Sequence, residues 1–251
     1  MDLGNGANRL TMLEESKSGV DLSKIVEEQV ATYRKNYLDH GDTPRGTFQN
    51  NPETMCLRYE RLLLPFLPSA TPLTIHDVGC GLCDLHAYLK SRNIDHHYSG
   101  TEIVPEMVEA AKNKYPGIEV FQRDILQDPV EDRYDVVLLS GVLNIPGRVP
   151  LEDWKPFCRE LLRKMFEMAR YGISFNFLTT HTTFRDPSLC YLNPSEMLTF
   201  CLEELSRFVR VDHVYPLYET SISVFRPDFV RTLFDDPAFD KYFSHSAKGR
   251  S

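Results

Sequence analysis

A strand, a glycine turn, a helix and a second strand follow one another over residues 73–102, and this order constrains the fold more than any other stretch. The apolar run from Leu73 to Val78 is typical of a buried parallel strand. Gly79 and Gly81 then turn the chain into a helix, since glycine tolerates unusual dihedrals and lets a ligand approach closely. The next strand carries Glu102 near its end, where a carboxylate accepts hydrogen bonds from ribose hydroxyls. The segment therefore predicts a βαβ unit that binds a nucleoside-containing cofactor.

The residues of the turn distinguish between two classes of cofactor. Dinucleotide-binding turns read G-x-G-x-x-G and hold a pyrophosphate at the helix N-terminus. Here Asp84 stands at the third glycine position, and its carboxylate would repel a pyrophosphate. The series Asp77-x-Gly79-x-Gly81-x-Cys83 instead resembles motif I of the class I methyltransferases that depend on S-adenosylmethionine (SAM). SAM carries a sulfonium and an ammonium, so an acid-lined loop suits it.

The last two strands favour the same family. The strands predicted over 208–215 and 220–225 are joined by residues 216–219, too short a link for a parallel crossover, so the pair is antiparallel. A dinucleotide-binding sheet ends in a parallel strand, whereas a terminal antiparallel hairpin resembles the class I methyltransferases. The resemblance implies an α/β, Rossmann-like fold. Its sheet would be seven-stranded and mostly parallel, with a C-terminal antiparallel hairpin and an N-terminal helical cover.

Four short stretches resemble small bacterial methyltransferases of biosynthetic gene clusters. They are HGDTP at 40–44, the R-Y-E-x-L-L pattern at 58–63, GISFNFL at 172–178 and YPLYE at 215–219. The resemblance covers about residues 33–226. It implies a small-molecule acceptor and does not identify the molecule.

Patterning along the chain predicts four segments, with 19–251 forming one structural domain. Residues 1–18 are polar and show no period, so we expect a disordered tail. An amphipathic helix and a second helix over 19–68 would form the helical cover. Residues 69–226 would form the SAM-binding core, and 227–251 a short helix and a C-terminal tail.

The resemblance implies roles for residues that follow the predicted strands. Glu102 would hold the ribose, with Ile103 beside it. Asp124 would bind the exocyclic amino group of adenine and Ile125 would pack on the ring, although Asp124 is also explained as a turn acid. Ser140 would offer its carbonyl to the methionine ammonium.

The remaining predicted cofactor residues would form the floor of the site or bind the methionine carboxylate. That anion needs donors, which the glycine loop does not supply in number. The candidates are Tyr33, Arg45 and Arg58; core packing would also explain Tyr33, and a solvated helix charge would explain Arg58. The floor would consist of Asp77, Gly79, Cys80 and Gly81.

Methyl transfer to a hydroxyl benefits from a base with a pKa near neutrality, usually histidine. His181 and His40 lie in loops predicted to face the site, and each is also explained as an ordinary loop histidine. Asn144 follows the fourth strand and should face the methyl group. The predicted acceptor pocket comprises Tyr37, Phe48, Leu143, Phe177 and Tyr191, although aromatic side chains are commoner in cores.

Charge and composition limit the kinds of molecule that this protein is expected to bind. The net charge of −8 argues against a nucleic-acid groove, which needs a basic face. No apolar run is long enough to span a membrane and no secretory signal is recognisable, so we expect a cytoplasmic monomer or homodimer. The C-x-x-C of Cys80 and Cys83 has no second copy, so a redox or zinc role is disfavoured and no metal is predicted.

These observations predict a SAM-dependent methyltransferase that acts on N or O of a small molecule. A heterocycle or another natural-product intermediate of secondary metabolism is favoured, because aromatic residues are frequent in the cover and loops. A sugar hydroxyl from surface-polysaccharide biosynthesis is the second candidate for the acceptor. The same βαβ unit would also serve a SAM-binding regulator or, least favoured, an NAD(P)-dependent oxidoreductase.

Overall fold

The computed structural model describes residues 20–49 and 51–243. Seven strands form one sheet in the order β3-β2-β1-β4-β5-β7-β6. The strands are β1 Leu73–Val78, β2 His96–Glu102, β3 Glu119–Gln122, β4 Tyr134–Leu139, β5 Ala169–Leu178, β6 Val209–Asp212 and β7 Glu219–Phe225. The predicted tail over 1–18 lies outside the described residues, as do residues 244–251 of the segment predicted over 227–251.

Seven α-helices accompany the sheet in the described part of the chain: α1 Leu22–His40, α2 Pro52–Leu63, α3 Asp84–Ser91, α4 Pro105–Lys114, α5 Leu151–Met168, α6 Pro194–Phe200 and α7 Pro227–Leu233. Local sequence explains where several of them begin. Asp21 caps α1, its carboxylate accepting a hydrogen bond from the backbone N–H of Lys24. Pro52 and Pro105 occupy first-turn positions, where a missing N–H costs no helical hydrogen bond.

Pairing within the sheet confirms the predicted fold class. β1 pairs in parallel with β2 and β4, β2 with β3, and β4 with β5. β7 runs antiparallel to both β5 and β6. The sheet is therefore mostly parallel and ends in an antiparallel hairpin, the topology of the Rossmann-like methyltransferases.

The first strand of this hairpin is shorter than predicted. β6 ends at Asp212 and does not continue to Tyr215. The carboxylate of Asp212 accepts a hydrogen bond from the backbone N–H of Val214, which turns the chain, and Val214 is 86% exposed. The apolar alternation in the sequence extends to Tyr215, whereas the backbone pairing of β6 stops at Asp212.

The two faces of the sheet support separate apolar cores. In β4, Val136 and Leu138 belong to the core on one face, and Val137 and Leu139 to the core on the other. Successive strand side chains point to opposite faces, so a fully apolar strand serves both cores. This explains why the central strand reads as an uninterrupted apolar run.

Helix α1 contributes to one of these cores as well as covering the sheet edge. Ile25 is 4% exposed and belongs to the cluster that includes Trp154 of α5 and Ile125 after β3. The indole Nε1 of Trp154 donates a 3.0 Å hydrogen bond to the carbonyl of Leu143. The core thereby fixes the chain just after β4, at the edge where the site lies.

Candidate functional site

A cavity of about 210 Å³ lies at the carboxyl ends of the parallel strands, covered by α1, the segment after it and α2. Eleven of the twelve predicted cofactor residues line it, and Arg45 does not. The eleven are Tyr33, Arg58, Asp77, Gly79, Cys80, Gly81, Glu102, Ile103, Asp124, Ile125 and Ser140.

The glycine turn has a backbone conformation that other residues rarely adopt. Gly79 and Gly81 have φ angles of 70° and 55°. A Cβ on Gly79 would lie 2.6 Å from a methyl carbon of Val142, so the loop after β4 packs against a bare backbone. The N–H groups of Gly79 and Cys80 both donate to the carbonyl of Thr101 in β2. The turn is therefore held rigidly, and the missing side chain of Gly79 lets the loop after β4 pack directly against it.

Glu102 is the hydrogen-bonding centre of this loop. It is 5% exposed. One carboxylate oxygen accepts from the N–H of Gly81 at 3.0 Å, and the other from Ile103 and Val104 at 2.8 and 3.0 Å. Burial raises the pKa of the carboxyl, and the three N–H donors act in the opposite direction. The carboxylate is thus fixed in place, and about one of its four lone-pair sites stays free for a hydroxyl donor.

Asp77 sits at the base of the cavity. It is 4% exposed, and burial raises its pKa to about 7. The hydroxyl of Tyr98 donates a 3.1 Å hydrogen bond to it, which partly offsets the effect of burial, whereas the charges of Glu102 and Asp84 raise the pKa further. No cation of the described chain is among the groups that shift this pKa. A carboxylate in this state suits a ligand that brings a positive charge.

Asp124 combines a local and a cavity-facing role. Its oxygens accept from the N–H of Leu126 at 2.9 Å and the side-chain amide of Gln127 at 2.8 Å, as a turn acid does. It also lines the cavity beside Ile125, which is 2% exposed. Each carboxylate oxygen accepts more than one hydrogen bond, so the turn does not exhaust this side chain.

Arg58 lies in a buried ion pair that the sequence did not reveal. Its Nε and Nη2 donate to Glu219 at 2.6–3.0 Å, and its Nη1 donates to the carbonyl oxygen of the Gln49 side chain at 2.6 Å. The side chains of Arg58 and Glu219 are 11% and 2% exposed. Two guanidinium N–H groups remain beyond these bonds. The solvated-charge explanation of Arg58 is therefore wrong.

The network continues from Glu219 into the sheet. The side-chain amide of Asn176 in β5 donates to Glu219 at 2.6 Å, and its carbonyl oxygen accepts from the N–H of Gly141 at 2.9 Å. We call Gln49, Arg58, Glu219 and Asn176 the buried polar network. Glu219 is the only charged residue of β7, and a carboxylate at the start of a buried strand is the signal that could have identified it.

Asn144 lines the cavity, and its side chain also holds two loops together. Its carbonyl oxygen accepts a 2.9 Å hydrogen bond from the N–H of Leu178, and its backbone carbonyl accepts from Cys190 at 2.8 Å. Phe48 also lines the cavity, with its ring edge-on to Tyr33 at 5.1 Å between centroids.

The two histidines considered as bases do not line the cavity. His40 is exposed at the end of α1, and His181 is exposed in the loop after β5. Tyr37 and Tyr191 also lie outside the lining; the Tyr191 hydroxyl accepts from the N–H of Asp186 at 2.9 Å. The structure therefore gives these four residues no contact with the cavity.

Two further residues of the predicted acceptor pocket belong to the apolar core. Leu143 and Phe177 are both 0% exposed, and neither lines the cavity. Their neighbours Asn144 and Leu178 line it instead. Along β5 this follows from alternation, because adjacent side chains point to opposite faces of the sheet. The placement of Leu143 and Phe177 in the pocket was wrong.

The described residues, 20–49 and 51–243, were searched for metal sites and for membrane-spanning helices. No group of three or more histidine, cysteine, aspartate or glutamate side chains there could hold a metal ion. No helix within these ranges is long and apolar enough to cross a membrane.

The comparisons with known proteins agree with this geometry. The family model described as "Methyltransferase domain" matches residues 75–166. Rv1506c of Mycobacterium tuberculosis (strain ATCC 25618 / H37Rv), a methyltransferase by name, is 31% identical over 159 residues, which make up 62% of this chain and 95% of that protein.

Solved structures share the fold at low sequence identity. The Burkholderia thailandensis 1,6-didemethyltoxoflavin-N1-methyltransferase, with bound 1,6-didemethyltoxoflavin and S-adenosylhomocysteine, has a TM-score of 0.56 at 13% identity, over 82% of this chain and 90% of that one. The DhpI-SAM-HEP complex has a TM-score of 0.55 at 16% identity, over 81% and 98%. With the match to Rv1506c, the sheet order and the cavity at the strand ends, these findings show that the chain belongs to the class I SAM-dependent methyltransferases.

Proposed function

We propose that this methyltransferase modifies a nitrogen or oxygen of a small heterocycle or a similar natural-product intermediate. The observation that carries the proposal is the apolar wall around Asn144. Ile145 follows Asn144 in the sequence, and the N–H of Leu178 donates to the side chain of Asn144. Leu189 precedes Cys190, whose N–H donates to the backbone carbonyl of Asn144. Ile145, Leu178 and Leu189 all line the cavity. This stretch of the wall, apolar except for Asn144, fits a flat apolar molecule better than a sugar.

The cofactor roles that we propose follow the lining of the cavity. Glu102 would bind the ribose and Asp124 the adenine amino group, with Ile103 and Ile125 packed beside the rings. Asp77 would face the ammonium group, because it is a carboxylate whose pKa is raised by burial and no cation of the described chain is among the groups that shift it. Ser140 would contribute its carbonyl to the same group.

The methionine carboxylate would lie near Arg58 and Tyr33. Arg58 keeps two N–H donors beyond its bonds in the buried polar network. Gln49 stands beside it, with its amide nitrogen within 3.6 Å of the place where a Cβ on Gly141 would lie. This part of the cavity therefore offers donors to an anion.

Methyl transfer places modest demands on the protein. Bound SAM supplies a methyl group on a sulfonium, which needs no further activation. The chain aligns the acceptor atom and excludes water, tasks for the apolar wall and the covering helices. A ring nitrogen with a free lone pair needs no strong base.

A heterocyclic acceptor also agrees with one of the fold relatives. The Burkholderia thailandensis enzyme is named for N1-methylation of 1,6-didemethyltoxoflavin. Shared fold at this identity supports the class of reaction and leaves the acceptor to be measured.

The acceptor class is tested by incubating the protein with methyl-labelled SAM and two matched sets of small molecules. One set holds benzimidazole, 4-hydroxyquinoline and related flat heterocycles, and the other holds methyl glycosides. We expect label only in the first set, detected by liquid chromatography and mass spectrometry. Label confined to the glycosides would favour a sugar acceptor, and tight S-adenosylhomocysteine binding without transfer to either set would favour a regulator.

Asp77→Asn should have opposite effects on stability and on cofactor binding. The folded-state pKa of Asp77, about 7, lies above the ordinary value of 3.8, so its ionisation destabilises the fold as pH rises between these values. The variant should match the wild type near pH 4 and melt at a higher temperature at pH 8. Its affinity for S-adenosylhomocysteine at pH 8 should fall about tenfold, because the ammonium loses a charged acceptor. Thermal melts and calorimetric titrations measure both, and a melting difference independent of pH would contradict the pKa of Asp77.

A further inference from the structure

Asn176 in β5 belongs to the buried polar network and has no exposed surface. Its Nδ2 donates a 2.6 Å hydrogen bond to Glu219, and its Oδ1 accepts a 2.9 Å hydrogen bond from the N–H of Gly141. A carboxylate accepts and an N–H donates, so these two bonds fix the orientation of the side-chain amide. Asn176 therefore connects the network to the peptide bond between Ser140 and Gly141.

The orientation of that peptide bond determines where the Ser140 carbonyl points. The bond is trans, so its N–H and its carbonyl point in opposite directions. In the sheet, β4 lies between β1 and β5. Because the N–H of Gly141 points to Asn176 in β5, the carbonyl of Ser140 points toward the β1 side, where Asp77 lies. No backbone N–H of the described residues is hydrogen-bonded to this carbonyl, and Ser140 and Gly141 both line the cavity.

The contacts of Asn176 thus connect the groups that would hold the two charges of the methionine part of SAM. Resting on the proposed positions of the ammonium at the Ser140 carbonyl and of the carboxylate at Arg58, we propose that Asn176 is a positioning residue for SAM. It keeps the Ser140 carbonyl turned to the ammonium through the N–H of Gly141, and it holds Glu219, the partner of Arg58. A group fixed in this way before the ligand arrives loses little entropy on binding.

Two ligands separate this role from general support of the fold. S-adenosylhomocysteine carries both charges, and its deamino analogue, with hydrogen in place of the amino group, keeps the carboxylate, the thioether and the adenosine. At pH 8, Asp77 is mostly ionised, since its pKa is about 7. We expect the wild-type protein to bind S-adenosylhomocysteine about 100-fold more tightly in calorimetric titrations, because the ammonium meets both Asp77 and the Ser140 carbonyl.

Two substitutions at Asn176 then measure what this side chain contributes. Asn176→Leu keeps a branched shape and removes both polar atoms, so the peptide bond before Gly141 loses its fixed orientation. The preference for S-adenosylhomocysteine over the deamino analogue should fall to about tenfold, the part that Asp77 supplies. Asn176→Asp keeps an oxygen for the N–H of Gly141, and two carboxyl groups in contact favour sharing one proton. This variant should keep most of the preference.

A buried hydroxyl on the same strand provides the matched control. Ser174 is fully buried, is hydrogen-bonded to Ser223 at 2.9 Å and does not line the cavity. Ser174→Ala should leave the preference between the two ligands unchanged. Circular dichroism checks that each variant is folded. If the leucine variant is unfolded, Asn176→Ser takes its place, because the shorter serine side chain also withdraws the acceptor from Gly141.

The pattern of losses decides between the possible roles. A loss of affinity that is equal for the two ligands would show that Asn176 only supports the fold and would overturn the proposal, as would an unchanged preference in the leucine variant. Equal binding of the two ligands by the wild-type protein would contradict the proposed ammonium position itself, and the role of Asn176 with it. The three results are distinguishable, and none of them depends on the class of methyl acceptor.

Discussion

Glu219→Leu is expected to lower the free energy of unfolding by about 3–5 kcal/mol, the usual cost of leaving one buried charge without its partner. The structure supplies the reason. Glu219 is 2% exposed and binds two guanidinium nitrogens of Arg58, and leucine would leave that charge and the amide of Asn176 without their acceptor. Urea denaturation followed by circular dichroism measures the change.

The double variant Arg58→Met/Glu219→Leu provides the decisive comparison. Replacing both members of a buried pair by apolar residues is often neutral or stabilising, so the double variant should recover much of the loss. Asp39→Leu breaks the pair with Lys35 on the surface of α1 and should leave the denaturation midpoint almost unchanged. If the single and double variants were equally unstable, the loss would come from packing and the charge argument would fail.

Glu102→Ala should weaken the binding of S-adenosylhomocysteine by about 10- to 100-fold. This corresponds to about 1.4–2.8 kcal/mol, the range for hydrogen bonds to a charged group. The carboxylate both faces the cavity and receives the N–H groups of Gly81, Ile103 and Val104. Replacing Glu102 by alanine removes a contact to the ligand, and it also removes the acceptor that holds the N–H of Gly81 in the glycine turn.

Calorimetric titration measures the affinity, and Glu119→Ala is the matched control. Glu119 is an exposed acid at the start of the neighbouring strand β3 and does not line the cavity. Its removal should leave the affinity unchanged. Equal affinities of the two variants for S-adenosylhomocysteine would show that Glu102 does not hold the ribose.

The fold and the cofactor side of the site could be predicted because their signals are local. The strand-turn-helix order around Gly79 and Gly81 fixes the first βαβ unit. The short link before β7, residues 213–218 in the structure, fixes the hairpin. Parallel strands end at one edge, so Glu102, Asp124 and Ser140 could be brought together without a structure. Their cavity-lining positions follow from the topology, and their roles stay predictions.

The acceptor side depends on contacts between distant parts of the chain. Arg58 and Glu219 are 161 residues apart, and no local pattern links them. Phe177 was assigned to the pocket because of its residue type, whereas the register of β5 turns it into the core and presents Leu178 to the cavity. His181 lies in a loop whose path is set by tertiary contacts. Asn176 was missed because one asparagine in a mostly apolar strand gives no local signal of its partners.

The position of Ile25 determines where a truncated or fused form of this protein can begin. The family model matches residues 75–166, which suggests a compact catalytic unit starting at the first strand. Ile25 nevertheless belongs to the same apolar cluster as Trp154 and Ile125. A fusion or truncation that begins after α1 would remove part of that cluster and expose apolar side chains, a recognised cause of aggregation. For protein engineering, a boundary that keeps this cluster and the Asp21 cap intact lies before Val20, which also packs on the cluster.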